Sequence, residues 1–337
     1  SEQLDLGIDA YFFNSRLKLA FDWYNKITRD WLVQAPILGS YGTGAPYING
    51  GEVQNKGVEV GLSWNDNIAD FRYGVNVNMA YNKNVVTKIA NGEGIIYGPN
   101  DVLDQNTGYL FLAQEGYPIG YFYGYKTNGI FQNAEQVANT EAKVVDAAPG
   151  DLIFVDTDKD GDIDSDDRTM LGNPHPDVNL GFGLNMEYKG FDFSITANGA
   201  FGHQIAQSYR PQTNKLYYNY TKQMMDERWH GEGTSNTFPR LGNAANFNKV
   251  SDIYIQDADY VRIQNITLGY DFKRLWKKSP LKQMRLYLSL QNWFTFTGYD
   301  GFDPAVGYGG GTDWASGVDL GFYPSAKSFI IGANLKF

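Results

Sequence analysis

"VNLGFGLNMEY", residues 178–188, decides the fold. Val178, Leu180, Phe182, Leu184 and Met186 fall at every second position, with Asn179, Gly181, Gly183, Asn185 and Glu187 between them. A strand turns successive side chains to opposite faces, so this stretch is apolar on one side and polar on the other. "MRLYLSLQNWFTF" (284–296) repeats the pattern: Leu286, Leu288, Leu290, Phe294 and Phe296 oppose Arg285, Tyr287, Ser289, Gln291 and Thr295. So does "FRYGVNVNMAY" (71–81), with Val75, Val77 and Met79 against Gly74, Asn76 and Asn78. The polar faces suit a watery lumen as well as bulk solvent.

About eleven such stretches are predicted, near 3–13, 16–32, 52–65, 70–88, 107–116, 120–131, 178–189, 191–203, 259–272, 284–298 and 327–337. Each is close to the roughly 9–11 residues a tilted strand needs to cross a bilayer. In "YVRIQNITLGYDF" (260–272) the apolar residues move from odd positions (Val261, Ile263) to even ones (Ile266, Leu268), which predicts a β-bulge near Asn265. "TKQMMDERWHG" (221–231) reads as a short helix inside a loop.

Connections alternate in length. Asn14-Ser15, 66–69 and Lys189-Gly190 are tight, whereas about 33–51, 89–106, 132–177, 204–258 and 299–326 are long. Short turns on one side and long loops on the other are the pattern of outer-membrane barrels, with the long loops outside the cell. An odd number of strands beginning on the outside does not make a closed bacterial barrel, in which strands are even in number. The chain therefore reads as the C-terminal portion of something larger, with no plug or first barrel half among residues 1–337.

Composition agrees. The 337 residues include 28 Lys+Arg and 38 Asp+Glu, a net charge of −10, which argues against binding nucleic acid. There is no Cys, hence neither a disulfide framework nor thiolate chemistry. No apolar run reaches the roughly 18 residues of a spanning helix, but a barrel strand dilutes its apolar face with lumen residues and escapes that test. His175, His203 and His230 are scattered, no GxSxG elbow occurs and no carboxylate pair stands out for hydrolysis, so no enzyme activity is expected.

"DTDKDGDIDSDD" (156–167) gathers seven aspartates. Asp156, Asp158 and Asp160 fill positions 1, 3 and 5 of an EF-type loop, Gly161 its sharp turn at 6, Asp162 and Asp164 positions 7 and 9, and Asp167 position 12, where the pattern prefers Glu. Ile163 is expected to pack inward. Flanking helices are absent, so the expectation is a structural calcium site without the EF fold. The alternative is a solvated acidic turn. Trp229 and Trp314 lie in long loops, where so large an apolar ring needs a partner: a substrate's sugar ring or side chain, or the loop itself. Tyr209, Tyr217, Tyr218, Tyr220 and Tyr308 have the same two readings. Trp23, Trp64, Trp293 and Tyr299, near strand ends, are expected in interfacial girdles. "KRLWKKSPLKQMR" (273–285) is a basic turn, facing either anionic headgroups or water.

"SFIIGANLKF" (328–337) sets Phe329, Ile331, Ala333, Leu335 and Phe337 on one face. Such a strand is similar to the signal read by the outer-membrane assembly machinery, for which Phe329, Ile331, Leu335 and Phe337 are the candidates. "GYPIGYFYGYKTNGIFQ" (116–132), "PGDLIFVDTDKDGDIDSDDRTMLGNPHPDVNLGFGLN" (149–185), "DADYVRIQNITLGYDF" (257–272) and "GFYPSAKSFIIGANLKF" (321–337) together resemble the SusC/RagA family of TonB-dependent outer-membrane transporters; "VQNKGVEVGLSW" (53–64) also fits. The resemblance implies an all-β fold: part of a barrel of about 22 strands, plugged by an N-terminal domain. It also implies a SusD-like lipoprotein lid, energy from TonB, surrounding outer-membrane lipid, and oligosaccharides or peptides as cargo. The rival expectations are a passive porin and a soluble, calcium-stabilised glycan-binding domain.

Overall fold

The computed structural model describes residues 1–34, 42, 46–103, 107–208, 222–243 and 245–337. Nine antiparallel strands form one sheet: β1 (Glu2–Phe12), β2 (Leu17–Gln34), β3 (Tyr47–Ile68), β4 (Phe71–Ile89), β5 (Val178–Tyr188), β6 (Phe191–Phe201), β7 (Tyr260–Asp271), β8 (Gln283–Thr297) and β9 (Ser328–Lys336). They pair strictly in chain order, each with the strand before and after it. The architecture is the all-β wall expected, with nine wall strands rather than eleven. The stretches near 107–116 and 120–131 belong elsewhere: Phe111–Gln114 and Tyr121–Tyr125 lie in a separate small sheet. Removing two strands together leaves the alternation of short and long connections intact. It also merges the expected links into one excursion, 90–177.

Register shows why the alternation matters. Reading across all nine strands, Phe12, Leu17, Trp64, Val75, Leu184, Ile195, Ile266, Leu290 and Phe329 are successive partners. The next row is Tyr11, Lys18, Ser63, Asn76, Gly183, Thr196, Asn265, Gln291 and Ser328. Each strand's private pattern thus becomes a continuous apolar face and a continuous polar one. The expected bulge is present: pairing skips Gln264, and Asn292 on β8 adopts a left-handed φ of 56°. It keeps Val261, Ile263, Ile266 and Leu268 on the same face despite their change of parity.

The apolar face is uncovered. Ile8 is 67% exposed, Phe296 61%, Phe329 58% and Ile331 76%. At the tight-turn end it finishes in aromatic rings: Phe13 lies 5.9 Å from Trp64, Phe71 6.3 Å from Tyr188, Phe191 4.4 Å from Tyr270, and Tyr270 5.0 Å from Phe272. Nearby, the basic turn between β7 and β8 exposes Leu275 and Trp276. From Phe71 to Tyr81, ten residues at about 3.3 Å each and a tilt of about 40° give an apolar band about 25 Å tall.

Most buried apolar residues lie instead in the long connections, 90–177, 202–259 and 298–327, which fold together as a roof. Leu110, Phe111 and Phe122 from the first pack with Ala206, Val250 and Tyr254 from the second and with Ala315 and Val318 from the third. A parallel pairing of Gln204–Gln207 with Val318-Asp319 stitches the last two. Gly124 is required where the first connection meets the second, because a Cβ there would lie 2.3 Å from the Val250 carbonyl oxygen. The roof rests on the polar side of the wall: Val53, Val86 and Ile89 pack with Ala113, Ile119 and Trp314, and Ile119 N donates to Asn84 Oδ1 at 2.8 Å. The expected short helix in the second connection is present as Lys222–Glu227.

Candidate functional site

Three features of the roof carry chemistry. The first is a carboxylate that the sequence reading missed. Asp151 is fully buried at the start of Leu152–Phe154. It accepts from Arg240 Nε (2.7 Å) and Nη2 (3.1 Å), Asn243 Nδ2 (2.9 Å), Asn246 Nδ2 (3.0 Å) and Ala148 N (2.9 Å). Burial pushes its pKa up, but the bonds from Arg240, Asn246, Ala148 and Asn243 outweigh burial and hold the carboxyl below the usual range. One side chain thereby ties residues 148–152 to residues 240–246. The available signal was a lone Asp directly ahead of the apolar "LIFV".

The second is the aspartate loop. Carboxylate oxygens of Asp156, Asp158 and Asp167 lie within 4.8 Å of one another. Oxygens around calcium sit at about 2.3–2.6 Å from the ion, so opposite ligands are about 5 Å apart and this trio fits. Asp156 also accepts from Lys159 N and Gly161 N, and Asp167, itself buried, accepts from Thr157 N and Asp164 N. Gly161 takes the left-handed turn (φ 96°) and Ile163 packs against the core of Tyr125, Ile130 and Phe154, both as expected. Asp160, Asp162 and Asp164 are not gathered with the other three: Asp160 and Asp164 turn back to accept from Asp162 N and Asp166 N. A carboxylate two residues ahead of an unpaired amide closes an Asx turn more readily than it reaches inward. Partial loss of hydration, reinforced by Asp160, Asp167 and Asp156, pushes the Asp158 carboxyl above its ordinary value.

Aromatic side chains make the third feature. Trp229 and Trp314 find their partners within the protein. Trp229 packs on the Tyr125–Phe154 core, against Gly150 in a left-handed conformation (φ 91°), and its Nε1 donates to Gln132 Oε1 at 3.3 Å. Trp314 packs between roof and wall, 6.2 Å edge-on from Trp31. Both stay half-buried, so part of the large apolar surface that singled them out as substrate contacts is taken up by the protein itself. Tyr299 is likewise a core residue rather than part of a girdle, donating to Asp319 at 2.8 Å. Tyr209, Tyr217, Tyr218 and Tyr220 lie outside the described residues. Exposed rings occur instead along the small roof sheet. Tyr97 and Tyr109 pair at 4.8 Å and Tyr117 lies 4.9 Å over the buried Tyr121 ring, while the Arg168 guanidinium is 4.3 Å from the ring centroid of the half-buried Tyr123. Hydroxyls, ring faces and a cation on one strip can hold a sugar ring or a peptide equally well. The three histidines stay apart: His175 contacts the Ile119 carbonyl, His203 packs beside Tyr260, and His230 is exposed at the Arg228 carbonyl.

No protein-family model matches the sequence. Curated relatives do. TonB-dependent receptor P3 of Formosa agariphila is 34% identical over 345 residues, covering 100% of this chain and 34% of the relative. TonB-dependent receptor SusC of Bacteroides thetaiotaomicron is 29% identical, covering 98% and 31%. The RagAB peptide importer in its open-open state superposes with a TM-score of 0.77 at 23% identity, covering 99% of this chain and 34% of that one. The chain thus spans about a third of the length of these relatives, which are named as receptors and as a peptide importer. With a wall that is apolar outside and polar inside, and with sequence similarity from end to end, the chain belongs to the SusC/RagA family of TonB-dependent outer-membrane transporters, as a stretch of their β-barrel.

Proposed function

We propose that the whole protein imports oligosaccharides or peptides across the outer membrane, drawing energy from TonB on the tight-turn side and carrying a SusD-like lipoprotein lid on the roof side. Residues 1–337 would form the C-terminal part of the barrel, with the plug and first barrel half supplied by the rest of the polypeptide. The observation that carries this reading is the polar row from Tyr11 to Ser328 beneath a folded roof. It offers cargo a continuous hydrogen-bonding surface without a hydrophobic trap. The tyrosine strip is the contact surface we propose above it. The amphipathic strand bearing Phe329, Ile331, Leu335 and Phe337, all exposed on the apolar side, is proposed as the strand the assembly machinery reads.

The test is uptake of labelled oligomers by cells expressing the full-length protein. Uptake is expected to stop when TonB is deleted. Uptake that continues at the same rate without TonB would make the barrel a passive porin and overturn this reading.

Calcium is proposed at Asp156, Asp158 and Asp167, where it would neutralise three converging carboxylates and stiffen the first connection. Because partial loss of hydration, reinforced by the neighbouring carboxylates, raises the Asp158 pKa, acid should weaken binding by protonating that ligand. Calcium is expected to slow proteolysis between 155 and 168 in the wild type. D156N/D167N should abolish the effect, and D166N, outside the trio, should keep it. Equal protection in D156N/D167N would show that these ligands are not used.

A further inference from the structure

One step above the apolar band, on the roof side, the outward face carries a row of donors. Asn25, Lys56 and Lys83 are successive partners across β2, β3 and β4. They lie two residues beyond the apolar row of Trp23, Val58 and Tyr81 on the same face, and two before Ile27, Gln54 and Val85. Both lysines are exposed. Among the described residues neither forms an ion pair. The acids nearby on β1 and β3 are already engaged, since Arg29 reaches Glu2 at 3.0 Å and Glu52 at 3.7 Å. Asn25 Oδ1 accepts from Gln54 Nε2 at 2.9 Å, which leaves its amide hydrogens free to face outward.

Directly opposed like charges destabilise a sheet, and here they face the rim of a low-dielectric band. At the opposite rim of the same face the charge is matched: Arg16 lies 3.3 Å from Asp66. An uncompensated lysine pair on the lipid side therefore calls for an anion from the membrane.

We propose that Lys56 and Lys83, with Asn25, hold a phosphate group on the headgroup of an outer-leaflet glycolipid. Opposed Cβ atoms about 5 Å apart allow two ammonium groups to converge on one tetrahedral anion. Its height fits the headgroup layer, just above the interfacial Trp23 and Tyr81. The inference rests on the membrane orientation given above.

The test uses the full-length protein in nanodiscs containing either phosphorylated or dephosphorylated lipid A, with bound lipid counted by native mass spectrometry. At about 1 kcal/mol per lysine, wild type should prefer the phosphorylated form by at least about tenfold. K56Q/K83Q should lose that preference and K56R/K83R should retain it. Equal retention of both lipids by the wild type, or an unchanged preference in K56Q/K83Q, would overturn the proposal. A spin label at position 56 separates the two levels of the argument. Headgroup depth without phosphate preference defeats only the site, whereas a label in lumen water defeats the orientation as well.

Discussion

Replacing Asp151 with alanine is expected to release the first long connection from the second while leaving the wall assembled. Five hydrogen bonds converge on that carboxylate, two from one guanidinium. Removing it strands the amides of Asn243 and Asn246, and Asn246 also accepts from Leu152 N at 3.0 Å. Breaking a buried pair of this kind costs about 3–5 kcal/mol. The loss is partly softened because Arg240 reaches solvent. Hydrogen exchange is the measurement: amides of 127–154 and 238–250 should lose protection while those of β5 and β6 keep theirs. The pH dependence has a definite sign. The folded pKa of Asp151 lies below its unfolded value, so its contribution is present above the ordinary carboxylate range and fades as pH falls through the folded value. The D151A protein should show no such acid step. Unchanged protection in D151A would mean that the roof is held by its apolar cores alone.

The wall was legible from sequence because one rule, period two, governs nine long strands and their register at once. The bulge at Gln264 was legible for the same reason, since a change of parity that must keep one face apolar requires an extra residue. The roof was not. "YFYGY" alternates as a barrel strand does, yet Phe122 is buried in the roof core while Tyr123 lies under Arg168. Alternation distinguishes two faces but not lipid from a protein core, and only the short length of Tyr121–Tyr125 gave the difference away. Trp229 and Trp314 illustrate the same limit. A large ring in a polar loop requires a partner, but sequence does not say whether that partner belongs to the protein. Within the aspartate loop, spacing named Asp156, Asp158, Asp160, Asp162, Asp164 and Asp167 alike, and the structure brings together the carboxylates of Asp156, Asp158 and Asp167. Spacing does not show that the carboxylates of Asp160 and Asp164 are spent on local turns. Asp151 and its partners are about 90 residues apart in the chain, too far for any local pattern to link them.

The central claim is that the uncovered apolar face of the nine strands meets hydrocarbon while the other face meets water. Phe182 sits near mid-height of the band, between Val77 and Ala197, and is 37% exposed. Thr196 is its neighbour on the polar face, in the row of Gly183 and Asn265. The decisive measurement compares F182R with T196R in the full-length protein, by the urea midpoint of folding into bilayers. A lipid-facing position at mid-plane should lose about 2–4 kcal/mol on gaining an arginine, and a lumen position about 1 kcal/mol or less. The account predicts that F182R assembles poorly and T196R nearly normally. Equal midpoints, or folding of both variants in plain buffer without lipid or detergent, would contradict it.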